Sequence, residues 1–157
     1  MREDMLEKLA AELEIRNLMS RMYILADTDP SVDEYVSYLT EDIVWEYVGD
    51  NPDSAVRTHL GSRLVGRDMI AADRQKIREG GAQGPGSGMF KVLTTVNVRV
   101  NDDGTAEADS YMLYLKAKDS TEVRQVVHNQ DQFRRTDDGW KLSHRRFSVH
   151  GASPSPS

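Results

Sequence analysis

Three polar turns in the second half of the chain constrain its fold more than any other feature: Asn101–Asp102–Asp103–Gly104, Lys118–Asp119–Ser120 and Thr136–Asp137–Asp138–Gly139. They separate four β-rich runs that begin near Phe90, Ala106, Val123 and Trp140. Connections this short, made of residues that accept tight backbone reversal, join neighbouring antiparallel strands, so the segment reads as a meander of hairpins. Val92, Val96, Val98 and Val100 alternate with more polar residues, as do Trp140 and Leu142. That pattern is expected where helices cover one sheet face and the other is more polar.

The first half reads as helices around one strand. From Glu3 to Ala26 the apolar residues Leu6, Leu9, Leu13, Leu18, Met22 and Leu25 recur with charges between them, as in a long amphipathic helix. Asp29–Pro30 ends it, and Ser31–Val32–Asp33–Glu34 has the form of a capping box opening a short helix to Leu39. The β-branched and aromatic run Ile43–Val48 reads as a strand, followed by a polar, mobile loop through Arg57. Gly66–Arg67–Asp68 opens a third helix with Met69, Ile70 and Ile77 apolar, and Gly80–Gly81 closes it ahead of a loop to Gly88. Residues 1–150 thus read as one α+β domain and residues 151–157, with nothing to bury, as a disordered tail.

A chain of 157 residues can bury one core, and 38% hydrophobic with 29% charged residues describes a packed domain rather than a disordered one. The absence of cysteine excludes disulfides, thiolate nucleophiles and zinc–thiolate sites, and His59, His128, His144 and His150 have no metal-ligand spacing. No metal or cofactor is expected. A net charge of -6 argues against nucleic acid, although Arg134, Arg135, Arg145 and Arg146 make a local basic cluster. The polar start Met1–Arg2–Glu3–Asp4 is unlike a signal peptide and no apolar run is long enough for a bilayer, so a cytoplasmic protein without membrane contact is expected.

Ile15–Arg16–Asn17–Leu18 leading to Tyr23 and Ala26–Asp27, then Leu39–Thr40–Glu41–Asp42 with Trp45, then Asp138–Gly139–Trp140–Lys141–Leu142 followed by Arg145–Arg146, resemble in order and spacing the SnoaL-like branch of the nuclear-transport-factor-2 (NTF2-like) superfold. The resemblance covers nearly everything except the tail. It implies a cone of three N-terminal helices packed on a strongly curved, mostly antiparallel sheet. It also implies relatives that include scytalone dehydratase, hexachlorocyclohexane dehydrochlorinase, polyketide cyclases and bile-acid dehydratases, and the non-catalytic β subunits of ring-hydroxylating dioxygenases. Fold alone does not choose between an enzyme and a binding or assembly subunit.

The lyases of this family carry an aspartate late in the first helix, a histidine at the start of the strand after the third helix, and often an arginine in the last strand. Those places fall on Asp27, Lys91 and Arg145, so two of the three residue types match and lysine replaces histidine. Lysine acts as a base near neutral pH only if burial or a neighbouring cation lowers its pKa of about 10.4. The simpler expectation is that Lys91 stays charged and stabilises an enolate or other oxyanion while Asp27 takes or relays the proton.

Tyr23, four residues before Asp27, can share its helix face, and Trp45, Tyr111, His128 and Asn129 are candidates to line a hydrophobic pocket. For each of these residues an ordinary structural role is the alternative: a helix end for Asp27, a solvated strand position for Lys91, a surface basic strand for Arg145. Parity places Lys91 opposite Val92, Val96 and Val98 unless a bulge intervenes. A hydrophobic small molecule is the expected partner, and the wide outer face of an open sheet implies a homo-oligomer, dimer or trimer.

Overall fold

The computed structural model describes residues 1–49 and 63–151. The polar loop through Arg57 and the disordered tail expected above lie outside the described residues. The elements are α1 (Arg2–Thr28), α2 (Asp33–Ser37), β1 (Leu39–Tyr47), β2 (Arg63–Val65), α3 (Arg67–Glu79), β3 (Met89–Val100), β4 (Thr105–Ala117), β5 (Thr121–Thr136) and β6 (Gly139–His150). The strands form one sheet in the order β2–β1–β6–β5–β4–β3. β1 runs parallel to β6 and every other pair is antiparallel.

The four expected β runs are β3 to β6, joined by the three polar turns. At the last of these Gly139 has φ +99°, a backbone conformation that strains any residue with a side chain and so favours glycine. Glu14 accepts the Trp140 N–H at 3.1 Å, which fastens this turn to α1. The three-residue β2 was too short to leave a periodic signal.

Under the helices alternate side chains are buried, Ala106, Ala108, Ser110, Met112 and Tyr114 on β4 and Gln125, Val127, Asn129, Asp131 and Phe133 on β5, while on β6 a register shift against β5 separates buried Trp140 and Leu142 from buried Arg145 and Phe147. On β3 the pairing with β4 shifts register between Leu93 and Thr95. This bulge reverses the parity of the strand, so Lys91 and Leu93 share the inner face with Val96, Val98 and Val100, while Val92 is turned outward and exposed. The expected alternation therefore held for three of the four valines and failed at Val92.

On α1 the expected face held at Leu18, Met22 and Leu25 and failed in the first half of the helix. Ala11, Ile15, Leu18, Met19, Met22, Tyr23, Leu25 and Ala26 are buried, whereas Leu6, Leu9 and Leu13 are exposed. In that first half both Leu6, Leu9 and Leu13 and the buried Ala11 and Ile15 have helical spacing, and only the sheet below selects the side it contacts. The capping box does not form. Ser31 Oγ accepts the Asp33 N–H at 3.1 Å and Glu34 pairs with Arg21 at 2.9 Å instead of returning to the backbone. α2 stops at Ser37 and Leu39 already belongs to β1.

The last turn of α1, which carries Asp27, is held from α3. Arg78 donates to the carbonyls of Leu25 at 3.2 Å, Ser31 at 3.2 Å and Asp29. A cation is well placed there, because the last carbonyls of a helix lack partners and carry partial negative charge.

Candidate active site

β3 is an edge strand, so alternate N–H groups on its free side have no strand partner. Asp27 fills one such place, its Oδ2 accepting the Lys91 backbone N–H at 3.0 Å and its Oδ1 the Lys91 ammonium at 3.3 Å. The side chains of Lys91 and Asp27 are only 6% and 8% exposed, so the pair is shielded from water and its attraction is little screened. Lys91 Nζ also stands 5.6 Å from the Tyr114 ring centroid.

Lys91 opens on a cleft lined by Tyr23, Tyr35, Trp45, Arg74, Gln83, Met112, Tyr114, Val127, Asn129, Arg145 and Phe147. About 430 Å³ of empty space lies between its walls, mouth included, but only about 30 Å³ of it is wide enough to take the centre of a water molecule. Ligand pockets commonly hold about 300–1,000 Å³, so a substrate would enter only as lining side chains move aside. Wider concavities exist, one of them between α1, α2 and the start of β6, but it is an open groove away from Lys91.

On β6, Arg145 is buried and makes a two-pronged pair with Asp131 of β5, both N–O distances being 2.7 Å. Its guanidinium lies 4.8 Å from the Trp45 ring centroid and 5.8 Å from that of Tyr23. Burial opposes this charge, but Asp131 together with Tyr23 and Tyr35 outweighs it and raises the Arg145 pKa, so the residue is a permanent cation. The Tyr23 hydroxyl accepts an N–H from Asn129 at 2.7 Å. Burial pushes the Tyr23 pKa up to about 12, which keeps it a phenol able to donate its proton to a ligand oxygen.

Of the residues singled out from sequence, Tyr23, Trp45, Lys91, Asn129 and Arg145 come together at the cleft, and Asp27 stands directly behind Lys91 without lining it. Tyr111 and His128 do not belong there, which corrects the expectation for both. They face each other across β4 and β5 on the opposite sheet face, ring centroids 5.1 Å apart, with His128 bonded to Asp109 at 3.1 Å. The cause is strand parity, since Met112 and Asn129, the next residues along, point inward. His144 and Arg146 likewise face out, both meeting Glu46.

Burial lowers the Lys91 pKa to about 8, with Arg74 and Arg78 acting in the same direction and Asp27 opposing them. A titration of ¹³Cε-labelled lysine followed by NMR should show one residue, Lys91, with a midpoint about 8. In Asp27→Asn that midpoint should fall further, by about a unit or more, because the lost carboxylate favoured the ammonium. Lysines that all titrate together would refute the dry environment.

Three buried charged residues in the cleft wall or just behind it were missed by sequence reasoning. Arg74 and its neighbour Asp73 lie on the Ile70–Ile77 stripe of α3, and Asp131 shares the inward parity of Val127, Asn129 and Phe133. Charges at apolar-face positions were the available signal. Among the described residues no three His, Asp or Glu side chains gather as metal ligands would, and no described helix is long and apolar enough to cross a membrane.

This arrangement of helices on a curved mixed sheet with a buried polar cleft defines an NTF2-like fold. The solved structures agree. An NTF2-like protein with a cystatin-like fold from Novosphingobium aromaticivorans matches 98% of this chain and 88% of its own at 25% identity and a TM-score of 0.72. A candidate dehydratase of the NTF2-like family from Streptomyces avermitilis matches 92% and 98% at 19% identity and 0.67. A Catenulispora acidiphila structure in complex with S-DNPA matches 90% and 95% at 19% identity and 0.67. No curated protein matches the sequence significantly. The family model described as the SnoaL-like domain matches residues 7–146, and the chain belongs to that family.

Proposed function

We propose that this protein is a cofactor-independent lyase or isomerase that moves a proton next to a carbonyl of a hydrophobic small molecule, by dehydration, elimination or isomerisation. The observation that carries this reading is the buried pair of Lys91 with Asp27 behind it, at a cleft that also holds Tyr23 and Arg145. The likeness to a candidate dehydratase at the level of fold is consistent with it.

We assign Asp27 and Lys91 roles other than those expected from sequence. Asp27 spends both oxygens on Lys91, whereas Lys91 faces the cleft with a pKa near 8. Roughly a tenth of Lys91 is then neutral at pH 7, enough for a general base. The neutral amine takes the proton from the carbon beside the carbonyl, and Asp27 stabilises the ammonium that forms, as a carboxylate does for a catalytic imidazolium. The negative charge passes to the carbonyl oxygen, which the Tyr23 hydroxyl and the Arg145 cation are placed to stabilise. In a dehydration the Lys91 ammonium returns its proton to the departing hydroxyl, leaving an enone, water and the starting amine.

The sign of the pH profile tests this. With Lys91 as base, kcat/KM rises as pH increases through about 8 and then levels off. A rate that falls through the same range would return Lys91 to the role of charged stabiliser and Asp27 to that of base.

The narrowness of the cleft favours a second reading, a non-catalytic small-molecule-binding protein or an assembly subunit like a ring-hydroxylating dioxygenase β subunit, for which ligands would protect without turnover. In either case we place the protein in the cytoplasm as a homodimer or trimer. Phe90, Val92, Tyr111 and Val123 expose apolar surface on the outer sheet face, which a second copy would cover. Light scattering should give two or three times the chain mass at micromolar concentration, and a monomer there would remove the assignment.

A further inference from the structure

The cleft wall has an unbalanced composition. Its cations are Arg74, Lys91 and Arg145, and among the described residues no carboxylate lines it. The carboxylates stand behind the wall, Asp27 against Lys91 and Asp131 against Arg145. Arg145 has two donors committed to Asp131, and Lys91 is engaged by Asp27.

Arg74 differs. It is 7% exposed, gives one terminal N–H to Asp73 at 2.8 Å, and its buried Nε–H finds no acceptor among the described residues. The guanidinium lies 5.4 Å from the Trp45 ring centroid, within the aromatic wall that also includes Tyr23, Tyr35 and Phe147. A buried charged donor without an acceptor is costly, and an oxyanion that accepts it recovers that cost and adds a charge-assisted bond.

We propose that the ligand of this cleft is an aromatic or polycyclic acid whose anionic oxygen group docks on Arg74, with its rings against the aromatic wall. This deepens the function proposed above and rests on it only in placing the ligand in this cleft. Arg74 thus selects charged over neutral molecules of the same shape, while Lys91 works on a carbon further along the bound molecule.

The test compares 2-naphthoate with 2-naphthamide, which share a ring system and differ in charge, by ligand-observed NMR titration of the full chain. Wild type should bind the naphthoate at least tenfold more tightly, and Arg74→Gln, which can still donate to Asp73, should abolish the preference with little change for the amide. Should Arg74→Gln fail to fold, Arg74→Lys decides: it keeps the charge, lacks the Nε–H, and should weaken naphthoate binding at least threefold. Equal binding of the two probes, binding of neither, or a preference that survives the substitution overturns the proposal. Charge preference without turnover of any substrate would remove the proposed catalytic function and leave this inference standing. Turnover of neutral ketones with no charge preference would do the reverse.

Discussion

Asp27→Asn is expected to lower turnover by about a hundredfold to ten-thousandfold, the usual range for losing a proton-transfer partner. The substituted amide can still accept the Lys91 backbone N–H through its carbonyl oxygen, so the tie between α1 and β3 survives. The negative charge does not, and an ammonium formed at Lys91 during reaction then has no counter-charge in a site where water is scarce. Fold integrity would be read by circular dichroism and thermal melting at pH 8.5, where Lys91 is mostly neutral with or without Asp27 and the melting temperature should move by only a few degrees. Activity would be read as kcat on any substrate that the wild type converts. Full activity in the folded variant would show that the carboxylate does no chemical work.

Asp131→Ala should produce the largest loss of stability. It strands the Arg145 guanidinium, which is 4% exposed and donates twice to Asp131, as an uncompensated buried charge. Breaking a buried pair from one side costs about 3–5 kcal/mol. For a domain of this size that lowers the melting temperature by roughly 6–20 °C. The double substitution Asp131→Leu with Arg145→Met removes both charges and should recover much of that loss, since well-packed apolar residues replace buried ion pairs at little cost. Equilibrium urea unfolding of the three proteins checks this. A single variant within about 1 kcal/mol of wild type would mean that water reaches the pair.

Much of the fold was legible because it is written in turns and breaks. The three polar turns delimit β3 to β6, and Gly80–Gly81 ends α3, since these places need backbone reversals that few residues make. What was illegible depends on contacts made across the chain. Nothing local distinguishes the buried Ile15 and Met19 from the exposed Leu9 and Leu13 until the sheet lies beneath one set. Glu34 satisfies the capping-box pattern and yet spends its carboxylate on Arg21 of another helix. The site divides in the same way. Family spacing pointed to Asp27, Lys91 and Arg145, but the placing of Lys91 inward turns on the bulge at Thr94, which no local pattern announces. His128 and Tyr111 were drawn in by residue chemistry while strand parity, one residue away from the right answer, sent them outward.

The contacts that bring Asp27 to Lys91 have a second effect, on how copies of this protein can meet. An open sheet ends in strands whose bare amides invite another chain to pair with them, a common route to aggregation. One border is β2, only three residues long. The other is β3, twelve residues long, and α1 occupies its free polar groups at two places: Asp27 at the Lys91 amide and Arg16 at the Val96 carbonyl, 3.2 Å away. Substitutions that release the carboxylate altogether, such as Asp27→Ala, would therefore unseal a growth edge as well as silence chemistry, and insolubility of such a variant would have its origin here.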